Sequence, residues 1–209
     1  MSAPAFNRSG EGVRPARLRT ARSASADAAL DAVAAFLADH DWPQVTMAAV
    51  ARRAGLSRQT LYNEFGNRQG LVIAYVSRFI DGLLAVVEQR LAEHPGDVSA
   101  AVEAALTDVF TLGFGDPMVR GIVGPNPHRD LLATVTVDGT PALHAAADEL
   151  ADVLSRSWAM FERADAAIAA TALVRLVFSH LTLALGEPGD AAREVATALG
   201  PFLERAVRG

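Results

Sequence analysis

The stretch VTMAAVARRAGLSRQTLYNEFGNR, residues 45–68, predicts both the fold of the amino-terminal part of the chain and the kind of partner that it binds. It combines four arginines with a central glycine and with apolar residues at helical spacing. A buried helix would not need the arginines, and a fully solvated helix would not need the apolar residues. The segment therefore predicts one packed face and one face that meets a partner. The apolar residues are Val50, Leu56, Leu61 and Phe65.

Two short helices joined by a tight turn are predicted within this stretch. Thr46 is suited to cap the first helix, which ends near Ala54, and Gly55 provides the backbone freedom for the turn. Ser57 is suited to cap the second helix, which runs to about Phe65 before GNRQG breaks it. This is the arrangement by which a helix-turn-helix presents one helix to the major groove of DNA.

The outer face of the second helix carries side chains that can contact DNA. Once the apolar residues turn inward, the residues left outside are Arg58, Gln59, Thr60, Tyr62 and Asn63. Arginine and glutamine can pair with base edges, while threonine and tyrosine suit contacts with phosphates or with thymine methyl groups. The pattern therefore predicts double-stranded DNA as a partner.

The distribution of charge supports a polyanionic partner although the whole chain carries a net charge of -5. Residues 1–23 carry +4 from five arginines and one glutamate, and residues 45–68 carry +3 from four arginines and one glutamate. The remainder must then carry -12, because -5 less +7 is -12. An acidic body with a basic amino end is typical of a protein that meets nucleic acid on one face only.

Composition excludes several other classes of protein. Hydrophobic residues make up 51% of the 209 residues, which is enough to fill a core. Cysteine is absent, so neither a disulfide nor a thiolate nucleophile is available. The amino end lacks the apolar stretch of a signal peptide, and Arg175 and His180 interrupt the longest apolar run. We therefore expect a cytoplasmic protein with no membrane insertion.

Helical periodicity predicts an all-α fold, with a three-helix helix-turn-helix domain joined to a larger helical bundle. Residues 113–127 are rich in glycine and proline and are predicted to be a loop that could gate a pocket. The segment ATVTVDGT alternates like a strand but has no partner strand, so we predict a helix there. The predicted helices are 25–40, 47–54, 57–65, 68–94, 97–114, 128–137, 141–163, 164–186 and 189–208.

Residues 46–71, TMAAVARRAGLSRQTLYNEFGNRQGL, resemble the TetR family of bacterial transcription regulators. The resemblance covers about residues 25–75 and rests on the Ala-Gly-apolar-Ser turn, the Leu-Tyr pair and the following Phe. It implies that Thr46, Tyr62 and Arg68 bind phosphates, and it places the other outer residues of the second helix in or beside the groove. Arg68 stands where the family usually has lysine, and Gly66-Asn67 replaces the usual pair before it.

The resemblance also implies a division of the chain into three parts. Residues 1–23 form a flexible basic arm, residues 24–70 the DNA-binding domain, and residues 71–209 a domain for ligand binding and dimerisation. Arginine-rich arms commonly enter minor grooves, so Arg17 and Arg19 are candidate DNA contacts, although such an arm can equally be a solubilising tail.

The family implies a homodimer built on the last two long helices and an effector pocket in each body. The apolar run 166–185 is consistent with a homodimer, since one face can pack on the body and another on a partner subunit. A fully buried central helix of a monomer would have the same apolar pattern. The pocket is predicted to take a hydrophobic, fatty-acid-like or lipid-like molecule. Its predicted lining is Leu83, Val87, Leu106, Phe110, Phe114, Met118, Leu154, Trp158, Arg175 and His180.

Arg175 and His180 are the polar members of this set, and either could anchor a carboxylate headgroup. Each also has a structural interpretation, as an arginine at the helix rim and a histidine in the core. His144 and Asp148 could reach one ion from neighbouring helical turns, but two ligands are a weak metal signal. The sequence predicts no metal, no cofactor and no catalytic residue.

Three functions remain open from the sequence. The favoured one is a TetR-like repressor that a hydrophobic ligand releases from a palindromic operator, and the chain resembles actinobacterial regulators of alkane, fatty-acid or lipid metabolism. A ligand-activated co-repressor or activator is an alternative, and so is a lipid-binding protein with a vestigial DNA-binding domain. An enzyme is disfavoured, since no nucleophile elbow, P-loop or dinucleotide-binding motif occurs.

Overall fold

The protein is described by a computed structural model that covers residues 22–40, 42–123, 128–158, 161–183 and 187–208. Within these ranges it forms α-helices, one 3-10 turn and one π-helical segment, with no strand, which confirms the all-α prediction. The helices are α1 Ala24–Asp39, α2 Met47–Arg53, α3 Arg58–Phe65, α4 Arg68–Glu93, α5 Val98–Gly115, α6 Pro117–Val123, α7 Arg129–Ala133, α8 Thr140–Ser157, α9 Arg163–Leu183 and α10 Pro188–Arg208. The 3-10 turn is Trp42–Gln44, and the π-helical segment is Thr134–Asp138.

The amino-terminal helices α1 to α3 pack on the first turns of α4 around a small apolar core. Leu30 of α1, Val50 of α2 and Leu61 of α3 are each fully buried there. Leu56 and Phe65 pack against the same core while remaining partly exposed. The inward face predicted for the segment 45–68 is therefore confirmed.

The two short helices begin and end as their local sequence predicts. The hydroxyl oxygen of Thr46 accepts a hydrogen bond from the Ala49 N–H at 3.1 Å, and the hydroxyl oxygen of Ser57 accepts one from the Thr60 N–H at 3.0 Å. Both are N-caps, which satisfy backbone donors that the first turn leaves unpaired. Gly55 has a φ of 68°, the left-handed conformation that turns the chain between α2 and α3.

Two ion pairs join α1 and the residues before it to α4, and a hydrogen bond caps the start of α1. Arg22 pairs with Asp81 of α4, and Arg78 of α4 pairs with Asp31 at 2.6 Å. The Ser23 hydroxyl caps α1. Arg22 and Ser23 therefore belong to the folded unit, although the arm was predicted to extend to residue 23. The rest of that arm through residue 21, with Arg17 and Arg19, lies outside the described residues.

The larger body is a bundle in which α8 packs along α9 and α10 packs along α5. The long helix α4 contacts both α5 and α8, so it crosses from the amino-terminal core into the body. Phe110, Ala166 and Leu203 are fully buried where these helices meet. One continuous helix thus belongs to both parts of the fold.

The segment predicted to be a loop contains a helix, α6, which is a correction to the sequence analysis. Asp116 caps this helix, because its Oδ1 accepts hydrogen bonds from the N–H groups of Met118 at 2.8 Å and Val119 at 3.3 Å. Pro117 occupies the first turn, where its missing N–H costs nothing. The pair Asp116-Pro117 is therefore a helix start, and the surrounding glycines obscured it. Residues 124–127 of the predicted loop lie outside the description.

Two further helix predictions were wrong in extent. The helix predicted over 141–163 ends at Ser157, and α9 begins at Arg163. The helix predicted over 128–137 is divided into α7 and the π-helical segment. In that segment the Thr136 hydroxyl donates to the Leu132 carbonyl oxygen at 2.8 Å, so a β-branched residue with a strand-like pattern is held in a helix.

Three helices are long and apolar enough to cross a membrane by length and composition alone: Arg68–Glu93, Val98–Gly115 and Arg163–Leu183. All three line one internal cavity and pack on the body core. Their apolar residues therefore serve to pack the body core and to line the cavity.

We expect Gly55→Ala to lower the free energy of unfolding by about 1 to 2 kcal/mol, because a Cβ disfavours the left-handed backbone. No atom lies within 4 Å of the added Cβ, so the cost comes from the backbone alone. The matched control is Gly82→Ala, since Gly82 lies in α4 with equal space around it and without a positive φ. That change should be neutral or stabilising. Equal urea midpoints for the two variants would contradict the assignment.

Candidate nucleic-acid interface and apolar cavity

The face of α3 that is turned away from the core is polar and accessible. Arg58, Gln59 and Asn63 are exposed, and Tyr62 is 48% exposed despite its large aromatic ring. The amide of Gln59 donates to Asn63 Oδ1 at 2.7 Å, so one helical turn holds the two side chains together. Thr60 is half-buried and its hydroxyl lies 2.9 Å from that of Ser57. The structure thus brings Arg58, Gln59, Tyr62 and Asn63 onto one surface, with Thr60 at its border.

Thr46 is exposed at the start of α2. Its hydroxyl oxygen accepts from the Ala49 N–H, and a hydroxyl that accepts can still donate its own hydrogen. Thr46 can therefore cap α2 and donate to a phosphate at the same time.

The Arg68 side chain packs against Trp42 and does not extend into solvent. Its guanidinium lies 3.9 Å from the ring centroid of Trp42 and donates to the Trp42 carbonyl oxygen. Desolvation by this burial lowers the pKa of Arg68, and the charge of Asp130 opposes that shift. The residue therefore anchors the first turn of α4 to the 3-10 turn. A phosphate contact by Arg68 would have to use the guanidinium edge that Trp42 leaves accessible.

Two exposed arginines of α2 contribute to the positive charge of residues 45–68 but are not among the predicted DNA contacts. Arg52 and Arg53 occupy the last turn of α2, next to the turn at Gly55. The Arg53 guanidinium carbon lies 5.9 Å from the Phe36 ring centroid. Their place beside α3 adds positive charge to the same end of the molecule.

The body contains a cavity with a volume of about 160 Å³. Helices α4, α5, α6, α8 and α9 form its walls, with Val135 of the π-helical segment. Among the described lining residues, only Tyr75, Asp116 and Thr182 carry oxygen or nitrogen in the side chain. The predicted apolar character of the pocket therefore matches the walls of this cavity.

The structure places only part of the predicted lining at the cavity. Leu83, Val87, Leu106, Met118 and Leu154 line it. Phe110, Phe114, Trp158, Arg175 and His180 are not among the lining residues.

The aromatic members of the second group are used for packing elsewhere. Phe110 is fully buried, with its ring 6.1 Å from Phe114 and 5.4 Å from His180 between centroids. Trp158 follows the last residue of α8 and packs on Phe161 at 5.9 Å. They fill the core between helices, whereas the cavity wall is mostly aliphatic, with Phe79 and Phe178 as the phenylalanines among its described lining residues.

The two predicted headgroup anchors also lie away from the cavity. Arg175 is exposed on α9, on a different side of that helix from the lining residues Val174 and Val177. His180 is 5% exposed and packs edge-on against Phe110. Neither is among the described residues that line the cavity, which fits the other interpretation, an arginine at the helix rim and a histidine in the core.

A hydrogen bond between Tyr75 and Asp116 forms the polar part of the cavity wall. The Tyr75 hydroxyl donates to Asp116 Oδ2 at 2.9 Å. Desolvation raises the pKa of Asp116, opposed by hydrogen bonds from Tyr75, Met118 and Val119 and by the charge of Arg120. Desolvation and the neighbouring Asp116 carboxylate also raise the pKa of Tyr75, which keeps the phenol protonated as a donor. Neither residue is among the site residues predicted from the sequence, because the two partners lie far apart in the chain.

The cavity and the amino-terminal core share part of their structure. Tyr75, Met118, Ile122 and Val135 line the cavity and also belong to the core that contains α1, α2 and α3. Met118 and Ile122 lie on α6, and α6 contacts α1. A change in the shape of the cavity therefore acts directly on side chains that support α1 to α3.

No group of three or more potential metal ligands occurs within the part of the chain that the structure describes. His144 and Asp148 of α8 thus have no third His, Cys, Asp or Glu to complete a site with them there.

The chain matches two family descriptions. Residues 29–75 match "Bacterial regulatory proteins, tetR family", and residues 97–201 match "Bacterial Tetracyclin repressor, C-terminal domain". The second match covers half of the 209 residues. The chain belongs to the TetR family. It is a DNA-binding transcriptional regulator with an amino-terminal helix-turn-helix, as the resemblance implied.

Individual relatives agree with this assignment. The chain is 35% identical over 179 residues to the HTH-type transcriptional regulator AlkX of Mycobacterium tuberculosis, which is 86% of this chain and 85% of AlkX. It is 34% identical over 84 residues to the HTH-type transcriptional repressor ComR of Escherichia coli, which is 40% of this chain and 38% of ComR.

A solved structure extends the likeness to the whole fold. The crystal structure of the TetR family repressor AlkX from Dietzia sp. strain DQ12-45-1b matches with a TM-score of 0.79 and 32% identity, over 86% of this chain and 97% of that one. That repressor is described as implicated in the biodegradation of n-alkanes. A TetR-family regulator from Streptomyces coelicolor matches with a TM-score of 0.61 at 22% identity, which shows the fold alone.

The raised pKa of Asp116 predicts a change in stability with pH. The folded protein holds this proton more tightly than the unfolded chain, so the carboxyl favours folding below the ordinary aspartate pKa. That contribution is lost as the pH rises through the raised pKa. Asp116→Asn keeps a capping side chain but cannot titrate. We expect the unfolding free energy of this variant, relative to the wild type, to increase as the pH rises through that window in urea titrations. A difference that stays constant with pH would contradict the prediction.

Proposed function

We propose that this TetR-family protein is a cytoplasmic, homodimeric repressor that a hydrophobic small molecule releases from a near-palindromic operator. The dimer binds two half-sites with one α3 helix in each major groove. The ligand enters the apolar cavity and favours a body shape in which the two α3 helices no longer match the half-site spacing.

The exposed face of α3 supports the DNA contact. Arg58 and Gln59 are the side chains suited to base edges, and the Tyr62 hydroxyl is suited to a phosphate. Tyr62 is 48% exposed, so this aromatic residue is not used to fill the core of the domain. Thr46, Asn63 and the arginines beside α3 extend the same polar surface.

The main support for ligand control is the wall that the cavity shares with the amino-terminal core. Met118 and Ile122 contribute to the cavity and to the core beneath α1 to α3. A ligand that displaces α6 must therefore repack part of the DNA-binding domain. Helix α6 would then couple the cavity to the DNA-binding domain beside the long helix α4, which also belongs to both parts of the fold.

The size of the cavity gives the ligand a means of acting. The cavity volume of about 160 Å³ is similar to that of an engineered apolar protein cavity, about 150 Å³, which binds benzene. It is smaller than the volume of most ligand sites, which is roughly 300 to 1,000 Å³. A longer aliphatic molecule must therefore move the walls as it binds. The likeness to the Dietzia repressor, implicated in the biodegradation of n-alkanes, favours an aliphatic ligand.

An apolar face of α9 supports the homodimer. Ile168 is 60% exposed and Leu183 is 62% exposed, and both lie on the side of α9 that also carries Arg175. Half-buried Ala172 continues this face between them, and half-buried Leu176 lies beside it. Such a face on one of the last two long helices is suited to pack against the same face of a second copy.

We expect Ile168→Glu to convert the dimer into a monomer, because it places a charge in the proposed apolar interface. The matched control is Val137→Glu, since Val137 is 70% exposed but lies in the π-helical segment away from α9. Light scattering during size-exclusion chromatography reports the mass of each variant. A wild-type monomer, or a dimer that tolerates Ile168→Glu, would exclude this interface.

We expect Arg58→Ala to weaken binding to the operator by about 1 to 3 kcal/mol, and Tyr62→Ala to weaken it by removing a phosphate contact. The control is Arg193→Ala, which removes an exposed positive charge from α10, far along the chain from α3. Fluorescence anisotropy with labelled fragments of the gene's own upstream region measures each affinity at fixed salt.

The same titration separates the alternatives. Retention of full affinity by the double variant of Arg58 and Tyr62 would remove α3 from recognition. Absence of DNA binding by the wild type would favour a lipid-binding protein with a vestigial DNA-binding domain. An aliphatic compound that strengthens the DNA complex would indicate a co-repressor or an activator.

A further inference from the structure

The hydrogen bonds of the cavity wall limit the chemistry of its ligand, and this inference rests on the proposed function of the cavity. The Tyr75 hydroxyl donates its hydrogen to Asp116 Oδ2 at 2.9 Å. The Thr182 hydroxyl donates to the Phe178 carbonyl oxygen at 2.8 Å, within its own helix. Both hydroxyl hydrogens are therefore already used inside the protein.

Asp116 adds acceptors and no donor when it is ionised. Its Oδ1 receives the N–H groups of Met118 and Val119, and its Oδ2 receives the Tyr75 hydroxyl. A carboxylate can accept about four hydrogen bonds, so one lone pair remains. The tyrosine and threonine oxygens also keep lone pairs. Among the described lining residues, the unused polar capacity of the side chains thus consists of acceptors alone.

A carboxylate ligand has no positive partner on this wall. The described residues that line the cavity include no arginine, lysine or histidine. Arg78, whose guanidinium lies 5.8 Å from the Tyr75 ring centroid, is paired with Asp31 at 2.6 Å. Arg120 of α6 is exposed and does not line the cavity. An anionic headgroup would therefore be desolvated beside Asp116 without a cation among the described lining residues to pair with it.

We propose that the ligand is an uncharged aliphatic chain whose single polar group is a hydrogen-bond donor, as in a primary alcohol. The hydroxyl donates to Asp116 or to the Tyr75 oxygen, and the hydrocarbon chain lies along the aliphatic walls of α4, α5, α8 and α9. Asp116 is the residue that determines specificity, because it accepts from an alcohol and repels a fatty-acid anion. An alkane binds to the same walls without the polar contact.

Displacement of the uncharged fluorophore N-phenylnaphthylamine from the full-length protein tests the proposal with decane, decanol, decanal and decanoate. We expect decanol to bind best, decane and decanal less tightly, and decanoate about tenfold or more weaker than decanol at neutral pH. The same compounds are then added to the protein–operator complex, where the order of release should be the same.

Asp116→Asn supplies the decisive variant. The amide keeps the cap of α6, removes the negative charge and adds a donor. The preference for decanol over decanoate should therefore fall by about tenfold. Asp97→Asn is the matched control, because Asp97 caps α5 in the same way, accepting from the Ala100 N–H at 2.9 Å, but is exposed and absent from the cavity lining. Its ligand preference should equal that of the wild type.

A second variant keeps the test open if Asp116→Asn fails to fold. Tyr75→Phe removes the internal donor and leaves Asp116 Oδ2 open to the ligand, so the preference for decanol over decane should rise. Equal binding of decanoate and decanol to the wild type would overturn the ligand class and leave a ligand-responsive regulator in place. Failure of all four compounds to displace the fluorophore or to release the operator would overturn the proposed function as well.

Discussion

The fold depends on side chains that belong to the amino-terminal core and also line the cavity. Met118 and Ile122 of α6 belong to the core under the helix-turn-helix, and the same side chains line the cavity. Close-packed interiors do not deform continuously, so a wall shared in this way has few alternative arrangements. The position of α3 and the shape of the cavity are therefore linked by packing, without any need for a long path of contacts between them.

Asp116 is placed where the shared wall begins. Its carboxylate caps α6, accepts the Tyr75 hydroxyl from α4 and lines the cavity. The hydrogen bonds to α6 and from Tyr75 favour the charged form of Asp116, while burial disfavours it, and burial has the larger effect on its pKa. A carboxylate kept in such a place contributes little to stability by its charge. Its value lies in fixing the junction between α4 and α6, the two helices that reach both parts of the molecule.

The helix-turn-helix could be predicted from the sequence because its signals are local. The caps at Thr46 and Ser57 and the turn at Gly55 each follow from the preference of one residue for one backbone conformation. The helix α6 was missed although Asp116-Pro117 is also a local start signal, because glycines on both sides suggested a loop. The hydrogen bond from Tyr75 to Asp116 has no local signal, since 41 positions separate its partners.

The cavity lining could be predicted only in character, because core and cavity residues look alike in sequence. Leu106 lines the cavity while Phe110, one turn later on α5, fills the core against His180. Helix α9 is apolar around most of its circumference, so periodicity could not show which side Arg175 occupies. Its exposure places the only charged residue in the middle of that helix on the outer side, which leaves the cavity wall of α9 uncharged. Because Arg175 lies outside the cavity wall, an anionic ligand has no positive partner among the described cavity residues of α9.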